Sequence, residues 1–392
     1  MINTLFLLDA PDRDRHFQHY VLEGLEEAGF KPLVTYFTGD AASSSMAAAG
    51  HAVAGLGLGK GLYKNFNPLP VTRLVRLIRK TGCRLVHVQR HRPLIYAGLA
   101  CRITGIPLLY SIRATHLVRN ANRRFAFNFI APALRRIIAV SKGARDDFCA
   151  RTDWPPSKVT VVSNGIDISE YQVDVDKTQA RKRFNLPQDA FIFGMAARFK
   201  KAKDHPGLVA AFRDAFAGSY PVYKSGRPLM VFAGDGPRED IVKGLVAKAG
   251  LTDSILFLGR LDPGEIPLFL RALDVFVHPS FREGMPASVL EAMAAKLPVI
   301  STDAEGVTDI FESSRNFGRM VKIGDVAALA GAMLEMYMAG RDKLAVMGME
   351  GVERLKEGFT REHMVRGTVN VYLELCRHHD DHDDMQSHGH RR

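Results

Sequence analysis

Short apolar runs alternate with longer stretches of helical spacing along almost the whole chain. Runs rich in Val, Ile and Phe are typical of strands buried in parallel sheets. In the first half the predicted strands are Thr4–Leu8, Pro32–Phe37, Leu85–Gln89, Leu108–Ile112, Ile137–Val140 and Val159–Ser163. In the second half they are Phe191–Ala196, Leu229–Ala233, Ile255–Leu258, Val275–His278 and Pro298–Thr302. This rhythm predicts βα units of the α/β class, arranged as two separate sets.

A polar segment near residues 167–187 interrupts the strand pattern, and we expect the hinge between two domains there. We therefore expect two Rossmann-like domains, residues 1–167 and 188–358. After Cys376 the chain is dominated by His, Asp and Arg and offers almost nothing to bury. Residues 378–392 are therefore expected to be a disordered tail, and a solvated end is favoured over a metal site there.

Length and composition agree with a two-domain globular protein. The chain has 392 residues, of which 46% are hydrophobic and 24% charged, and such a length exceeds one ordinary core. No apolar run reaches the length of a membrane-spanning helix, and the first ten residues resemble a strand more than a signal peptide. The four cysteines are far apart in sequence, which favours reduced structural thiols in a cytosolic protein.

The positive charge is concentrated in the first half. Residues 1–165 hold 23 Lys and Arg against 10 Asp and Glu, whereas the remainder holds 30 against 32. Nucleic acid, an anionic substrate or an acidic membrane surface each fits this excess. No RNA- or DNA-binding signature accompanies it, so a nucleic-acid-binding protein is the least favoured alternative.

Residues 281–303 place the carboxylates of Glu283 and Glu291 beside a helix N-terminus. Glu283 lies on a loop with Gly284, which permits close backbone approach. Pro286 suits the first helical position, and Glu291 follows inside the helix. Unpaired N–H groups at a helix N-terminus favour an anion such as a diphosphate, and carboxylates on either side can hold sugar hydroxyls. The segment predicts a site for a nucleotide-activated sugar.

Two cations follow the first strand of the second set. Arg198 and Lys203 come directly after Phe191–Ala196, where they can clamp a diphosphate and neutralise the charge that grows on a leaving phosphate. Gly234-Asp-Gly-Pro237 and Gly259-Arg260 follow the next two strands. Because carboxyl ends of parallel strands meet at one edge, we expect a single site.

Together these motifs resemble those of the retaining GT-B-fold glycosyltransferases of family 4. The resemblance rests on Arg198 to Lys203, Gly234-Asp-Gly-Pro237, Glu283-Gly-Met-Pro…Glu291-Ala-Met-Ala, Pro298-Val-Ile-Ser-Thr-Asp303 and, near the domain junction, Val162-Ser-Asn-Gly-Ile-Asp167. It is strong over residues 160–312 and mostly architectural over residues 1–160. It implies two domains facing a central cleft, with a last helix at 359–377 that packs back on the first domain.

The resemblance also implies roles for individual residues. Arg198 and Lys203 would bind the donor phosphates, Glu283 the donor sugar and Glu291 the ribose hydroxyls. Arg198, Lys203 and Glu283 are the expected catalytic residues. Further donor-binding positions are Gly234, Arg260, Gly284, Met285, Pro286, Ala287, Ser288 and Val289. Such enzymes use the nucleotide sugar as co-substrate, so neither a metal nor a cofactor is expected.

Four places depart from the family pattern. Lys296 stands where the family often has Gly, and Glu305-Gly306 where it often has Gly-Gly. The loop that begins at Pro11 replaces a glycine-rich one. The position of a functional His falls on Arg113, with His116 three residues further. We expect Arg113 to contact an anionic group on the acceptor side, with His116 as the alternative.

The segment from Leu117 to Val140 is both basic and aromatic. It contains Arg119, Arg123, Arg124, Arg135 and Arg136 among Phe125, Phe127, Phe129 and Ile130. One interpretation is an amphipathic core helix with a basic solvent face. The other is contact with anionic lipid or a phosphorylated lipid-linked acceptor, because peripheral attachment combines apolar and cationic faces.

The sequence thus predicts a retaining glycosyltransferase that moves a hexose from a nucleoside diphosphate, with UDP expected, to a glycan or lipid-linked acceptor. We expect it to be cytoplasmic, at the inner face of a membrane, in polysaccharide or lipopolysaccharide synthesis. The rival enzymes are a GT-B-type phosphorylase and a UDP-sugar epimerase.

Overall fold

The computed structural model describes residues 1–11, 16–59, 67–115, 118, 121–216 and 227–389. The chain divides into two compact units, residues 1–165 with 361–392, and residues 166–360. Each unit is a parallel α/β sheet with helices, in agreement with the expected pair of Rossmann-like domains.

Seven strands form the sheet of the first unit in its described part, in the order β3-β2-β1-β4-β5-β6-β7. They are β1 (Ile2–Leu8), β2 (Phe30–Thr38), β3 (Val53–Leu58), β4 (Leu85–Val88), β5 (Leu108–Ile112), β6 (Leu134–Ala139) and β7 (Val159–Val161). The helices are α1 (His16–Glu27), α2 (Ser45–Ala48), α3 (Leu69–Thr81), α4 (His91–Thr104), α5 (Ala121–Ile130) and α6 (Lys142–Thr152). All five residues of β5 are buried, because helices cover both faces of such a sheet.

Six strands form the sheet of the second unit, in the order β10-β9-β8-β11-β12-β13, within the residues described there. They are β8 (Phe191–Ala196), β9 (Pro228–Ala233), β10 (Ile255–Gly259), β11 (Val275–His278), β12 (Val299–Thr302) and β13 (Gly318–Val321). The helices are α7 (Lys177–Arg183), α8 (His205–Phe216), α9 (Glu239–Lys248), α10 (Ile266–Ala272), α11 (Ala287–Ala294), α12 (Glu305–Phe311), α13 (Val326–Ala339) and α14 (Arg341–Lys356). β8 and β11 are central, so the loops after them lie mid-sheet.

The segment expected to be a hinge, residues 167–187, belongs to the second unit. Its helix α7 is held by Asp274, a carboxylate that is 1% exposed just before β11. Asp274 accepts hydrogen bonds from Lys177 Nζ at 2.7 Å and from Arg181 Nη2 at 2.8 Å. A charge buried this deeply needs such partners, and they fix α7 to the sheet.

The last helix, α15 (Arg361–Gly389), is part of the first unit. It packs on α1, and Arg361 Nη2 donates to Glu23 Oε2 at 2.6 Å. The backbone remains helical through residues 378–389, where disorder was expected. No Gly or Pro occurs between Gly367 and Gly389, so nothing in that stretch ends the helix.

Two further findings concern the chain as a whole. The four cysteines are free thiols, as expected. In the described residues we find no helix with the length and apolar character that crossing a bilayer requires.

Candidate functional site

The loops at the carboxyl edge of the second sheet are joined to one another. They follow β8, β9, β10 and β11. The bonds run from Phe199 N–H to Asp235 O (2.8 Å), from Gly234 N–H to Gly259 O (2.7 Å) and from Phe281 N–H to Ala202 O (2.8 Å). The four motifs expected at this edge therefore lie on one continuous surface.

Two glycines permit the close contact between the β9 and β8 loops. Gly234 and Gly236 have φ of +142° and +152°, a region that side chains rarely adopt. A Cβ at Gly234 would lie 2.1 Å from Ala197 O, and one at Gly236 would lie 2.7 Å from Phe199 O. The two glycines thus press the Gly-Asp-Gly-Pro loop against the backbone that carries Arg198.

Lys203 and Glu283 are in direct contact. Lys203 Nζ donates to Glu283 Oε1 at 2.5 Å, and the two side chains are 24% and 13% exposed. Lys203 ends a 3-10 turn after β8, and Glu283 lies in the loop after β11. An ammonium has three N–H donors, so Lys203 can bind Glu283 and an anionic ligand at once.

His278, at the end of β11, completes this cluster beneath the surface. The imidazole is fully buried, and its Nε2 lies 2.9 Å from Glu283 Oε1 and 3.0 Å from Ser280 Oγ. Its Nδ1 lies 3.4 Å from Ser288 Oγ in the first turn of α11. The ring therefore connects the carboxylate to the helix N-terminus.

The electrostatics of the cluster favour an ionised Glu283. Burial alone would raise the pKa of this carboxyl group, but His278 and then Lys203 outweigh burial and hold its pKa well below the ordinary range. Burial, and then the Lys203 charge, lowers the pKa of His278. A neutral imidazole beside an ionised carboxylate donates from Nε2, which leaves Nδ1 to accept from Ser288.

Helix α11 begins one residue later than expected. Pro286 is the N-cap, with φ −77° and ψ 111°, and the first helical residue is Ala287. The backbone N–H of Val289 donates to Pro286 O at 3.2 Å, and its side chain is buried in the core. Ala287 and Ser288 are partly exposed at the start of the helix, and the donor-binding role expected at Val289 stays a prediction.

The second carboxylate of the motif, Glu291, is also on this helix and is partly exposed. Its partner is the hydroxyl of Tyr171, from a 3-10 turn that packs on α11. Burial, followed by the Glu291 charge and its hydrogen bond, raises the pKa of the Tyr171 phenol.

A Cβ at Gly306 would lie 1.9 Å from Gly284 O, so α12 approaches the Glu283 loop closely.

Arg198 and Arg260 are more exposed than Lys203. The Arg198 side chain is 62% exposed, and its Nε lies 3.8 Å from Asp235 Oδ1. An ion pair this long and exposed is weak, so an anionic ligand can displace it. Arg260 is exposed just after Gly259. The structure thus brings both cations to the expected edge.

Arg113 follows β5 in the first unit, and among the described residues it forms no ion pair with a carboxylate. Its Nη1 donates to Asn164 Oδ1 at 3.0 Å, and its guanidinium lies 4.1 Å above the Phe17 ring. Burial, reinforced by the charge of Arg90, lowers its pKa to about 9. The Arg113 Nε is buried and finds no acceptor among the described residues. His116, the alternative, lies outside the described residues.

Sequence reasoning missed His278 and Tyr171. His278 was included in a predicted strand but given no role, although it precedes Glu283 by only five residues at the same sheet edge. That position could have identified His278 from the sequence. The contact between Tyr171 and Glu291 left no sequence signal, because it joins segments 120 residues apart.

Two models of known protein families match this chain, one in each half. A family model described as "Glycosyl transferases group 1" matches residues 176–351, and one described as "Glycosyltransferase Family 4" matches residues 17–170. The boundary between these matches agrees with the division of the chain into two units.

Two curated relatives match along most of the chain. "Lipopolysaccharide core biosynthesis mannosyltransferase LpsB" of Rhizobium meliloti (strain 1021) is 30% identical over 331 residues, covering 82% of this chain and 88% of the relative. "UDP-Gal:alpha-D-GlcNAc-diphosphoundecaprenol alpha-1,3-galactosyltransferase" of Escherichia coli is 24% identical over 314 residues, covering 77% of this chain and 78% of the relative.

Solved structures share the fold. A glycosyltransferase from Rickettsia africae ESF-5 superposes with a TM-score of 0.81 at 17% identity, covering 95% of this chain and 98% of its own. Anabaena Alr3699/HepE in complex with UDP gives a TM-score of 0.80 at 19% identity, covering 95% of this chain and 100% of the HepE chain. At these identities the likeness shows the two-domain GT-B architecture.

Proposed function

Because the chain belongs to the family 4 glycosyltransferases of the GT-B fold and is an enzyme of the hexosyl-transferring class, we propose that it moves a hexose from UDP to a glycan or lipid-linked acceptor. The anomeric configuration of the sugar is retained. The names of its relatives support an acceptor of the lipopolysaccharide type, since one is a lipopolysaccharide core mannosyltransferase and another acts on a diphosphoundecaprenol-linked sugar. Solved complexes of Anabaena HepE with UDP and with UDP-glucose support the donor.

The observation that carries this proposal is the contact between Lys203 and Glu283 beside the start of α11. A diphosphate against the helix N-terminus meets the free donors of Lys203, while a sugar hydroxyl meets Glu283. Hydrogen bonds to ionised groups contribute roughly 1.5–3 kcal/mol each. Both halves of a nucleotide sugar are thus held by neighbouring side chains.

The transfer proceeds on the front face of the sugar. The bond between the anomeric carbon and the diphosphate oxygen breaks, and the electron pair goes to the phosphate. The acceptor oxygen adds from the same side and gives its proton to the departing phosphate. Arg198 and Lys203 neutralise the charge that develops there. Glu283, already engaged by Lys203 and His278, orients the sugar and does not attack it.

Positive charge from side chains and the helix N-terminus takes the place of a metal ion in this proposal. Activity is therefore expected to be insensitive to EDTA. Loss of activity in EDTA that is restored by Mg²⁺ or Mn²⁺ would contradict this part.

A donor screen tests the function. The purified protein is incubated with UDP-glucose, UDP-galactose or GDP-mannose and with lipid-linked or lipopolysaccharide-core acceptors, and nucleotide release and product are measured. We expect acceptor-dependent release of UDP and, because these UDP-sugars are α-linked, an equatorial anomeric proton in the product by NMR. Exclusive use of GDP-mannose would contradict the UDP assignment, and an inverted anomer would contradict retention.

The same assay distinguishes the rival enzymes. Sugar interconversion without an acceptor indicates an epimerase, and a requirement for inorganic phosphate indicates a phosphorylase. We propose that the enzyme works at the cytoplasmic face of a membrane, where such acceptors are assembled.

A further inference from the structure

Helix α5 is apolar on two sides. Phe127 and Ile130 are buried and anchor it: the Phe127 ring lies 5.1 Å from that of Phe148 in a T-shaped contact. Phe125 and Phe129 are instead 74% and 53% exposed. Because they are four residues apart, these two rings lie on the same side of the helix. Both rings therefore present much of their apolar surface to solvent.

A third exposed apolar side chain lies on α4, the helix that packs against α5. Ile103 is 59% exposed near the end of that helix. The neighbouring Arg102 donates from Nη1 to Phe129 O at 2.6 Å, and its guanidinium lies 4.9 Å from the Phe129 ring. We define Ile103, Phe125 and Phe129 as the apolar patch. Apart from Met1, these are the large hydrophobic residues found exposed in the described part of the first unit.

The stretch of sequence that contains the patch is strongly basic. Residues 41–145 contain 18 Lys and Arg but no Asp or Glu. This stretch includes α3, α4 and α5, and α4 packs against both of the others. On α3 the exposed side chains include Arg76, Arg79 and Lys80. These three helices therefore carry exposed cations together with the apolar patch, and Arg124 on α5 pairs with Asp153.

We propose that the outer face of α3, α4 and α5 docks on an anionic lipid bilayer. The apolar patch enters the headgroup region, and the cations contact the lipid phosphates, as in other interfacial attachments. Charge complementarity selects this partner: the first unit carries the whole positive excess of the chain. A soluble polyanion such as RNA would satisfy the arginines but leave Ile103 in water. The proposal does not depend on which donor or acceptor the enzyme uses.

Vesicle co-sedimentation tests the docking. The full chain is mixed with vesicles of phosphatidylcholine alone or of phosphatidylcholine with phosphatidylglycerol. Binding is expected only when phosphatidylglycerol is present, and it weakens as salt rises from about 0.1 M to about 0.5 M. Phe125→Ser with Phe129→Ser, and separately Arg76→Glu with Arg79→Glu, are each expected to weaken binding about tenfold or more.

Exposed residues of the second unit supply matched controls. Val346→Ser with Met349→Ser removes two exposed apolar side chains from α14, and Lys248→Glu reverses an exposed charge on α9. Both are expected to bind vesicles as the unmodified chain does. Trp154, the single tryptophan of the sequence, lies 5.7 Å from the Phe127 ring, so its fluorescence reports that α5 is intact in each variant.

Two results would overturn the docking proposal: equal sedimentation with and without phosphatidylglycerol, or undiminished binding by the Phe125 and Phe129 variant. Tight RNA binding without vesicle binding would also overturn it. The outcome is separable from that for the proposed function, because UDP release with a water-soluble acceptor is expected to be unchanged in both α3 and α5 variants.

Discussion

Lys203 Nζ donates a 2.5 Å hydrogen bond to Glu283 Oε1, although the two residues are 80 positions apart in sequence. The contact exists because β8 and β11 are adjacent in the sheet and release their loops at the same edge. It places a cation for a phosphate beside a carboxylate for a sugar. The proposed chemistry depends on that adjacency.

Removing either partner is expected to abolish most turnover while the fold persists. Lys203→Ala removes the charge that stabilises the departing phosphate, and a loss of about 100-fold or more in kcat is expected. Glu283→Gln keeps the size of the side chain but not its charge, and a similar loss is expected. Steady-state UDP release, with circular dichroism to confirm folding, measures both.

Lys243→Ala is the matched control for Lys203→Ala. It removes a lysine that pairs with Glu239 on the surface of α9, and no change in turnover is expected. Full activity of both Lys203→Ala and Glu283→Gln would refute the site assignment.

His278 is expected to act by positioning Glu283. His278→Ala removes the hydrogen bond to Oε1 and is expected to lower kcat by about tenfold or more while the KM for UDP-sugar changes less. His278→Gln retains an amide donor and is expected to restore part of the loss. If the Gln and Ala variants are equally impaired although folded, the positioning role is wrong.

Apolar runs in the sequence located strands that are buried on both faces, such as β5 and β8, because those strands are continuous hydrophobic stretches. They missed β3 and β13, which lie at the sheet edges. β3 contains Gly55 and Gly57, and β13 opens with Gly318 and Arg319. These glycines and the charged Arg319 interrupt the apolar runs, whereas the other two edge strands, β7 and β10, keep theirs and were found.

For the site, motif spacing predicted which residues gather at the carboxyl edge but not how they pair. The rule that parallel strands share an edge brought Arg198, Lys203 and Glu283 together. The Tyr171 hydroxyl beside Glu291 depends on packing between distant segments, whereas His278 could have been recognised from its position five residues before Glu283. The ligand-binding roles of Arg198, Lys203, Glu283 and Glu291 stay predictions until a nucleotide complex is measured.

Acid is expected to destabilise the second unit through His205. Its ring stacks on Phe199 at 4.1 Å, and burial, followed by the charge of Lys203, lowers its pKa to about 4. Between the ordinary histidine pKa of about 6.5 and that value, only the unfolded chain binds the proton. Stability then falls by about 1.4 kcal/mol per pH unit.

His205→Phe removes this titration and keeps an aromatic ring against Phe199. Urea unfolding at several pH values between about 7.5 and about 4.5 is expected to show similar stability at the upper end and a flatter decline below pH 6.5. Parallel curves for the two proteins would contradict the account of His205.

Asp274→Asn is expected to destabilise the second unit by about 3–5 kcal/mol, because it leaves the buried guanidinium of Arg181 without its charge partner. Urea unfolding measures the loss. Glu335→Gln is the control: it breaks the pair with Arg319, in which the side chains are 53% and 36% exposed, and about 1 kcal/mol or less is expected. Equal effects would contradict the anchoring role of Asp274.

Lys296→Gly is expected to stabilise the protein. Lys296 adopts φ of +61° after α11, a conformation that costs a residue with a side chain about 1–2 kcal/mol. Glycine avoids this strain, but ordering its more flexible backbone on folding costs about 0.5–1 kcal/mol more. A net gain of about 0.5–1 kcal/mol follows, visible as a higher melting temperature. Lys296→Ala keeps the strain and is expected to give no such gain; equal gains from both would contradict this explanation.

A crystal structure of the full chain with UDP tests the central claim most directly. The account predicts the diphosphate at the carboxyl edge of the second sheet, hydrogen-bonded to Lys203 and to the first turn of α11, with Arg198 turned from Asp235 toward it. The ribose is expected beside Glu291. UDP bound at any other place, with the Lys203–Glu283 edge empty, would contradict it.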